Sequence, residues 1–179
     1  MLLLPVAFVP LLGYAVAVTR SAAADPFRRP PPVLELTGRL FTDGLWTALA
    51  IAVTVAPFAL AFVALTRLVD GVGLVIAFYL LALPWGLVAL LVFPHGTATF
   101  ALSGNPRDLF DVAASVRCVR RDFATWNAVV AAIVTAWAIG LACAGLLWVG
   151  ILPGIFYAIL VSAHATAALA RPDPVSSPR

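Results

Sequence analysis

The sequence predicts an all-α membrane protein, a polytopic bundle of about five spanning helices. Hydrophobic residues make up 63% of the 179 residues, charged residues make up 11%, and the mean hydropathy is +1.06. Soluble domains carry about 25% charged residues. Uncharged stretches run over residues 71–106 and 123–170, whereas one span needs only about 20 residues. The second stretch therefore holds two spans. A soluble helical bundle, the alternative, would need charged faces that these stretches lack.

Five spans are predicted, at residues 2–19, 45–65, 71–93, 126–148 and 151–170. Between the last two lie Gly150, Pro153 and Gly154, which favour a tight chain reversal, so these spans are expected to form an antiparallel hairpin. Strands are a poor alternative, because the alternating pattern of a membrane barrel does not recur along the chain.

The arginines orient the predicted bundle. When the five spans are threaded in order, ten of the eleven basic residues fall on one side, and only Arg67 falls on the other. The positive-inside bias assigns the crowded side to the cytoplasm. We therefore expect a multi-pass protein of the cell membrane with its amino terminus outside and its carboxyl terminus in the cytoplasm. The whole chain, residues 1–179, forms one membrane domain in this interpretation, with residues 172–179 as a disordered cytoplasmic tail.

A cleaved signal peptide is the alternative for the first span. Ala22, Ala23 and Ala24 precede Asp25 and provide the small-residue pattern that signal peptidase accepts. Cleavage would leave residue 25 outside the membrane and would place the remaining cytoplasmic arginines on the wrong face. A signal peptide begins with a positively charged segment, and no such segment precedes Pro5. We therefore favour an uncleaved span.

Two amphipathic segments on the arginine-rich side are predicted as interfacial helices, at about residues 33–44 and 106–122. The second has clear start signals, because Asn105 is suited to cap a helix and Pro106 to occupy its first position. Its arginines point away from an apolar stripe, as in a helix that lies among lipid headgroups. The alternative is a solvated cytoplasmic helix packed on the bundle. The stripe consists of Leu109, Val112, Ala113, Val116, Val119 and Phe123.

Several short strings in the first half of the chain resemble a known family. They are Gly13-Tyr14, Arg20 just beyond the first span, the proline-rich linker, and the string from Gly38 to Leu45, GRLFTDGL. Together they resemble the domain of unknown function 4013 family of archaeal membrane proteins. The resemblance covers most of the chain. It implies a membrane architecture alone, because a family of unknown function brings no activity, cofactor or catalytic residue.

Two histidines are the notable polar residues within the predicted spans. His95 lies near the cytoplasmic end of the third span and His164 in the cytoplasmic half of the fifth, so the two could approach each other. Ionisable residues within a membrane are candidates for function. Two histidines without a third ligand make a weak metal site, and hydrogen bonding across helices is commoner. We predict no bound metal.

Motifs for catalysis are missing from the sequence. It contains no HExxH, GxSxG or Walker motif, and all eight acidic residues lie in connectors, in the tail or at span edges. We therefore expect no enzyme and no cofactor. Topology accounts for the net charge of +3, so a nucleic-acid partner is not expected.

Two functions of different classes fit these features. The favoured one is a noncatalytic membrane module that binds lipids or partner proteins. The alternative is a small transporter or transporter subunit with a polar path near Pro84, His95 and His164, which would need a homo-oligomer or a membrane partner to enclose a pathway. The candidate contacts to lipid headgroups or a partner are Arg20, Arg28, Arg29, Arg117, Arg120 and Arg121.

Overall fold

The computed structural model describes residues 3–24, 32–33, 35–146 and 151–170. Throughout these ranges the regular structure is helical, without strands, which confirms the all-α fold class. The predicted tail 172–179 lies outside the described residues. The helices are α1 Leu3–Ala24, α2 Gly38–Leu65, α3 Val72–Ser103, α4 Val112–Arg121, α5 Phe123–Leu146 and α6 Ile151–Thr166. Short 3-10 helices, Pro106–Phe110 and Ala167–Ala170, precede α4 and follow α6.

Four helical segments are long and apolar enough to cross a membrane: Gly38–Leu65, Val72–Ser103, Phe123–Cys143 and Pro153–Ala170. They match the last four predicted spans and indicate a membrane protein. The first predicted span corresponds to α1, in which the apolar segment Phe8–Ala24 is shorter than the other four.

The first helix lies at the centre of the bundle. Helix α1 packs against α2, α3 and α6, and its side chains enter both clusters of the core. Val16 packs with Phe100 of α3 in one cluster, and Tyr14 packs with Leu40 of α2 in the other. The buried part of α2 is confined to its first turns, and the buried part of α3 to its last turns. The core is therefore concentrated at the end of the bundle where α2 begins and α3 ends.

Glycines bring two pairs of helices into close backbone contact. A Cβ atom on Gly13 of α1 would overlap the carbonyl oxygen of Leu40 in α2, and one on Gly44 would overlap that of Val9. Close approach of this kind is the usual packing solution between helices in lipid. A Cβ on Gly140 of α5 would similarly lie 2.6 Å from the carbonyl oxygen of Gly154 in α6.

The first amphipathic segment differs from its prediction. Residues 33–44 do not form a separate interfacial helix, because α2 begins at Gly38 and continues unbroken to Leu65. Thr37 caps it by accepting a hydrogen bond from the backbone amide of Leu40. Gly44, which could have ended a short helix, instead provides the contact with α1.

The second amphipathic segment is divided in two. Asn105 caps the start as predicted, but Pro106–Phe110 forms a 3-10 helix, and α4 begins only at Val112. The division occurs at Asp111, whose carboxylate accepts a hydrogen bond of 2.8 Å from the amide of Ala114 and so starts a new helix.

Helix α3 also extends beyond its predicted end at residue 93. It passes through Pro94 and stops at Ser103, where Gly104 adopts a left-handed conformation with φ of 70°. Its 32 residues correspond to about 48 Å at 1.5 Å per residue, more than the hydrocarbon core of about 30 Å. The additional turns carry the buried residues of α3, among them Phe100, which packs against Val16 of α1.

Candidate functional site

A buried carboxylate joins three helices at the packed end of the bundle. Asp43 of α2 is 7% exposed, and its carboxylate accepts a hydrogen bond of 2.9 Å from the guanidinium of Arg20. Arg39, one turn before Asp43, approaches the same carboxylate oxygen to 3.9 Å and is 65% exposed. The guanidinium of Arg20 also donates to the carbonyl oxygen of Ala101 at 2.6 Å. We call Arg20, Arg39, Asp43 and Ala101 the Asp43 cluster.

The local structure explains why these groups meet. Ala101 lies in the last turn of α3, where carbonyl groups have no partner within the helix and attract cations. One residue before Arg20, the hydroxyl of Thr19 bonds to the carbonyl oxygens of Ala15 and Ala163. Two neighbouring residues of α1 therefore bind α2, α3 and α6.

Asp43 lies inside α2 and not at its start. Its position near the start of a span suggests a residue that begins the helix. The structure assigns that role to Thr37 and places Asp43 inside α2 as a partner of Arg20. The sequence indicates an ion pair at Asp43 only through Arg39, which lies four residues earlier, a spacing at which ion pairs form on a helix.

Helix α4 is fixed on the C-terminal half of α3 by its buried side. Ser115 is fully buried, and its hydroxyl lies 3.3 Å from the carbonyl oxygen of Val92 as a hydrogen-bond donor. The 3-10 helix before α4 is held in a similar way, because the hydroxyl of Ser103 donates to the carboxylate of Asp108 at 2.5 Å. One face of this segment is therefore a packing surface.

The exposed residues of this segment and of the first turn of α5 include both arginines and large apolar side chains. Arg117 and Arg120 are exposed on α4. Phe110 is 41% exposed, Val112 50% and Phe123 61%. Charged and apolar side chains that are exposed together suit the boundary between water and lipid, where each finds its own environment. We call this surface the α4 face.

The six arginines predicted as headgroup or partner contacts fall into three groups. Arg20 belongs to the Asp43 cluster, with 28% of its side chain exposed. Arg28 and Arg29 lie outside the described residues. The three on α4, which include Arg121, are exposed. Their contact with headgroups stays a prediction.

The two histidines have different surroundings. The imidazole of His95 interacts electrostatically with Asp108, Asp111 and Arg117, and its Nδ1 atom is buried, with no hydrogen-bond partner in the part of the chain that the structure describes. His164 is exposed on α6. In the part of the chain that the structure describes, no three His, Cys, Asp or Glu side chains are grouped as a metal site would require.

A partly open cavity of about 260 Å³ lies between α1, α2, α3, α5 and α6. Most of its wall is apolar, with Leu12, Leu90, Ile133 and Trp137 among the lining side chains. The wall includes neither histidine, nor Pro84, which is exposed on α3. Sequence reasoning did not identify this cavity. The hydroxyl groups on its wall belong to Thr19, Thr47, Thr97, Ser162 and Thr166.

The family described as "Protein of unknown function (DUF4013)" matches residues 1–149. Because the match covers most of the chain, the protein belongs to this family, which confirms the resemblance. Neither a curated protein nor a solved structure matches the chain. The match assigns no activity, so function has to be argued from the site.

Proposed function

We propose that this member of the family is a noncatalytic membrane module that binds anionic lipid headgroups through the α4 face. The observation that carries the proposal is the joint exposure of Arg117 and Arg120 with Val112 and Phe123. In this arrangement the apolar side chains enter the acyl boundary and the guanidinium groups meet lipid phosphates. Arginine suits this contact because its planar donor groups match phosphate oxygens in pairs.

The proposed topology places the α4 face in the cytoplasmic leaflet, with the amino terminus outside and the carboxyl terminus in the cytoplasm. Ten arginines on one side support this orientation, and the cytoplasmic leaflet is the one rich in anionic lipids. A reporter fused after Ser103 or Arg179 should be cytoplasmic, whereas one inserted at Asp70 should be external. A cytoplasmic signal at Asp70 would overturn the arrangement.

Lipid selection tests the proposal directly. The full chain is reconstituted in phosphatidylcholine nanodiscs that contain a minor fraction of phosphatidylglycerol, and the lipids retained after detergent extraction are quantified by mass spectrometry. We expect phosphatidylglycerol to be enriched. Each arginine near the surface contributes about 1 kcal/mol, so replacing Arg117, Arg120 and Arg121 by Gln weakens selection by about a hundredfold. At about 1 M salt the difference should disappear, because the screening length falls to about 3 Å.

A matched pair of single variants provides the control. Arg117→Gln and Arg67→Gln remove the same charge, but Arg67 lies in the turn between α2 and α3, at the other end of the bundle. We expect Arg117→Gln to reduce the enrichment and Arg67→Gln to leave it unchanged. Equal effects, or an enrichment that survives the triple substitution, would contradict lipid binding by the α4 face.

A small transporter or transporter subunit, working as a homo-oligomer or with a membrane partner, is the second candidate function. One observation favours it: the Nδ1 atom of His95 is buried and has no hydrogen-bond partner among the described residues. Polar groups within a span often mark a pathway. If the histidines form that pathway, changing His95 and His164 together to Asn would abolish the flux of the transported solute across the membrane of proteoliposomes. The same double variant would leave the lipid selection of the α4 face intact.

A further inference from the structure

We propose that the cavity between α1, α2, α3, α5 and α6 binds a single-chain amphiphile, a molecule with one apolar chain and one small oxygen-bearing end. Fatty acids and isoprenoid alcohols share this chemistry. The site is distinct from the α4 face, and the proposal does not depend on headgroup binding there.

The size of the cavity suits such a ligand. A water molecule occupies about 30 Å³ of the liquid, and an apolar cavity of about 150 Å³ stays dry and takes up benzene. The volume of about 260 Å³ therefore holds an apolar group considerably larger than benzene. Its apolar lining makes a hydrocarbon chain a better occupant than a chain of water molecules.

The polar groups of the wall are segregated toward one end. Along α1 the lining side chain is apolar at Leu12 and carries a hydroxyl at Thr19. Along α3 it is apolar at Leu90 and carries a hydroxyl at Thr97. Each pair is separated by two helical turns, about 10 Å along the axis. The hydroxyl end lies toward the Asp43 cluster, because Thr19 precedes Arg20. A ligand with a polar end and an apolar chain matches this gradient in only one orientation.

One hydroxyl at the polar end has an unused donor. The Oγ atom of Ser162 is buried and, among the described residues, has no hydrogen-bond partner. By contrast, the hydroxyls of Thr19, Thr47 and Thr97 donate to backbone carbonyl oxygens of their own helices. A buried hydroxyl without a partner is unfavourable. Ser162 lines the cavity, so a rotation of its side chain would bring this hydroxyl to the carboxylate or hydroxyl oxygen of an amphiphile, which would supply the missing acceptor.

Photolabelling of the purified full chain tests this assignment. The probes are a fatty acid and an isoprenoid alcohol that carry a diazirine on the chain, with a diacyl phosphatidylcholine that carries the same diazirine for comparison. We expect one of the single-chain probes to label the cavity wall saturably, at Leu90, Ile133 or Trp137, and the fatty-acid and alcohol arms identify which end group is preferred. Non-saturable labelling, labelling confined to outer faces, or equal labelling of the wall by the phospholipid would overturn the proposal.

A cavity-filling variant has a matched control on the same helix. Ala89 lines the cavity, whereas Ala82, two turns away and also half-buried, does not. Ala89→Phe should reduce saturable labelling to background, and Ala82→Phe should leave it at the wild-type level. Unchanged labelling in Ala89→Phe would contradict the assignment. If that variant fails to fold, Ile133→Trp fills the cavity from the side of α5. The positions labelled in the wild-type chain also test by themselves whether the amphiphile binds in the cavity.

A third variant isolates the hydrogen bond. Ser162→Ala should weaken binding of the amphiphile by about tenfold, the equivalent of one lost hydrogen bond, while competition by an alkane of the same length stays unchanged. Equal loss for both ligands would remove Ser162 as the polar contact and would contradict the proposed orientation. Replacing Arg117, Arg120 and Arg121 by Gln should leave labelling of the cavity unchanged. This result would separate the cavity from the α4 face.

Discussion

Replacing Arg20 by Gln should destabilise the bundle far more than replacing Arg39 by Gln, although both arginines face the carboxylate of Asp43. Arg20 lies 2.9 Å from that carboxylate with 28% of its side chain exposed, whereas Arg39 lies 3.9 Å away and is 65% exposed. Only Arg20 also bonds to the end of α3, at the carbonyl oxygen of Ala101. The two substitutions therefore form a matched pair that differs in burial and in distance.

The structure sets the size of the difference. Removing one partner of a fully buried ion pair costs about 3–5 kcal/mol. The partial exposure of Arg20 reduces this penalty by solvent screening, so we expect about 3 kcal/mol for Arg20→Gln. An exposed pair contributes about 0–1 kcal/mol, which is the expectation for Arg39→Gln. Because Arg20 and Asp43 are in direct contact, combining Arg20→Gln with Asp43→Asn should show a coupling of about 2 kcal/mol.

Reversible unfolding by SDS in mixed micelles, followed by circular dichroism, measures these free energies. The comparison requires a two-state transition for each variant. If Arg20→Gln and Arg39→Gln cost the same amount, or if the coupling between Arg20 and Asp43 is below about 0.5 kcal/mol, the Asp43 cluster does not hold the bundle together as described.

Two further predictions concern packing and capping. Gly13→Ala should prevent stable folding, because its Cβ would overlap the carbonyl oxygen of Leu40, whereas Gly86→Ala, with no neighbouring atoms in reach, should be neutral or stabilising by about 1 kcal/mol; equal thermal stability of the two variants would contradict the close contact of α1 and α2. Asp122 is hydrogen-bonded by the side chain of Thr125 and, with a smaller effect, by its backbone amide. These two bonds hold the pKa of Asp122 below its usual range. Because a lowered pKa in the folded state favours the carboxylate, this cap should be complete at neutral pH and be lost as the pH falls through that lowered pKa. The protection of the Thr125 amide from hydrogen exchange, relative to the intrinsic rate at each pH, should therefore fall only at pH values below the usual range of an aspartate pKa, and a loss of protection already near neutral pH would refute the assignment.

Four of the five spans predicted from the sequence are long apolar helices in the structure, because hydrophobicity and length decide whether a helix can span a bilayer. The ends of the helices were harder to predict. Pro94 ends the third span in the sequence interpretation, yet α3 continues to Ser103. Proline is tolerated within membrane helices where neighbouring helices and local adjustments satisfy the freed backbone groups.

The Asp43 cluster and the cavity depend on contacts between distant parts of the chain. Arg20 and Ala101 are separated by 81 residues and Thr19 and Ala163 by 144, so no local pattern brings them together. Arg20 was predicted as a headgroup contact because isolated arginines beside a span are usually explained by topology. Its pairing with a buried carboxylate follows from the central position of α1, which only the packing of the whole bundle determines.

The environment of the exposed apolar side chains on the α4 face tests the central claim most directly. Spin labels are placed singly at Val112, Phe123 and Arg120 of the chain in anionic nanodiscs, and their collisions with oxygen and with an aqueous nickel complex are measured. Labels at Val112 and Phe123 should be accessible to oxygen and shielded from nickel, because these side chains enter the acyl boundary, whereas the label at Arg120 should be accessible to nickel. High nickel accessibility at all three positions would place α4 in water and contradict the proposed binding of lipid by this surface.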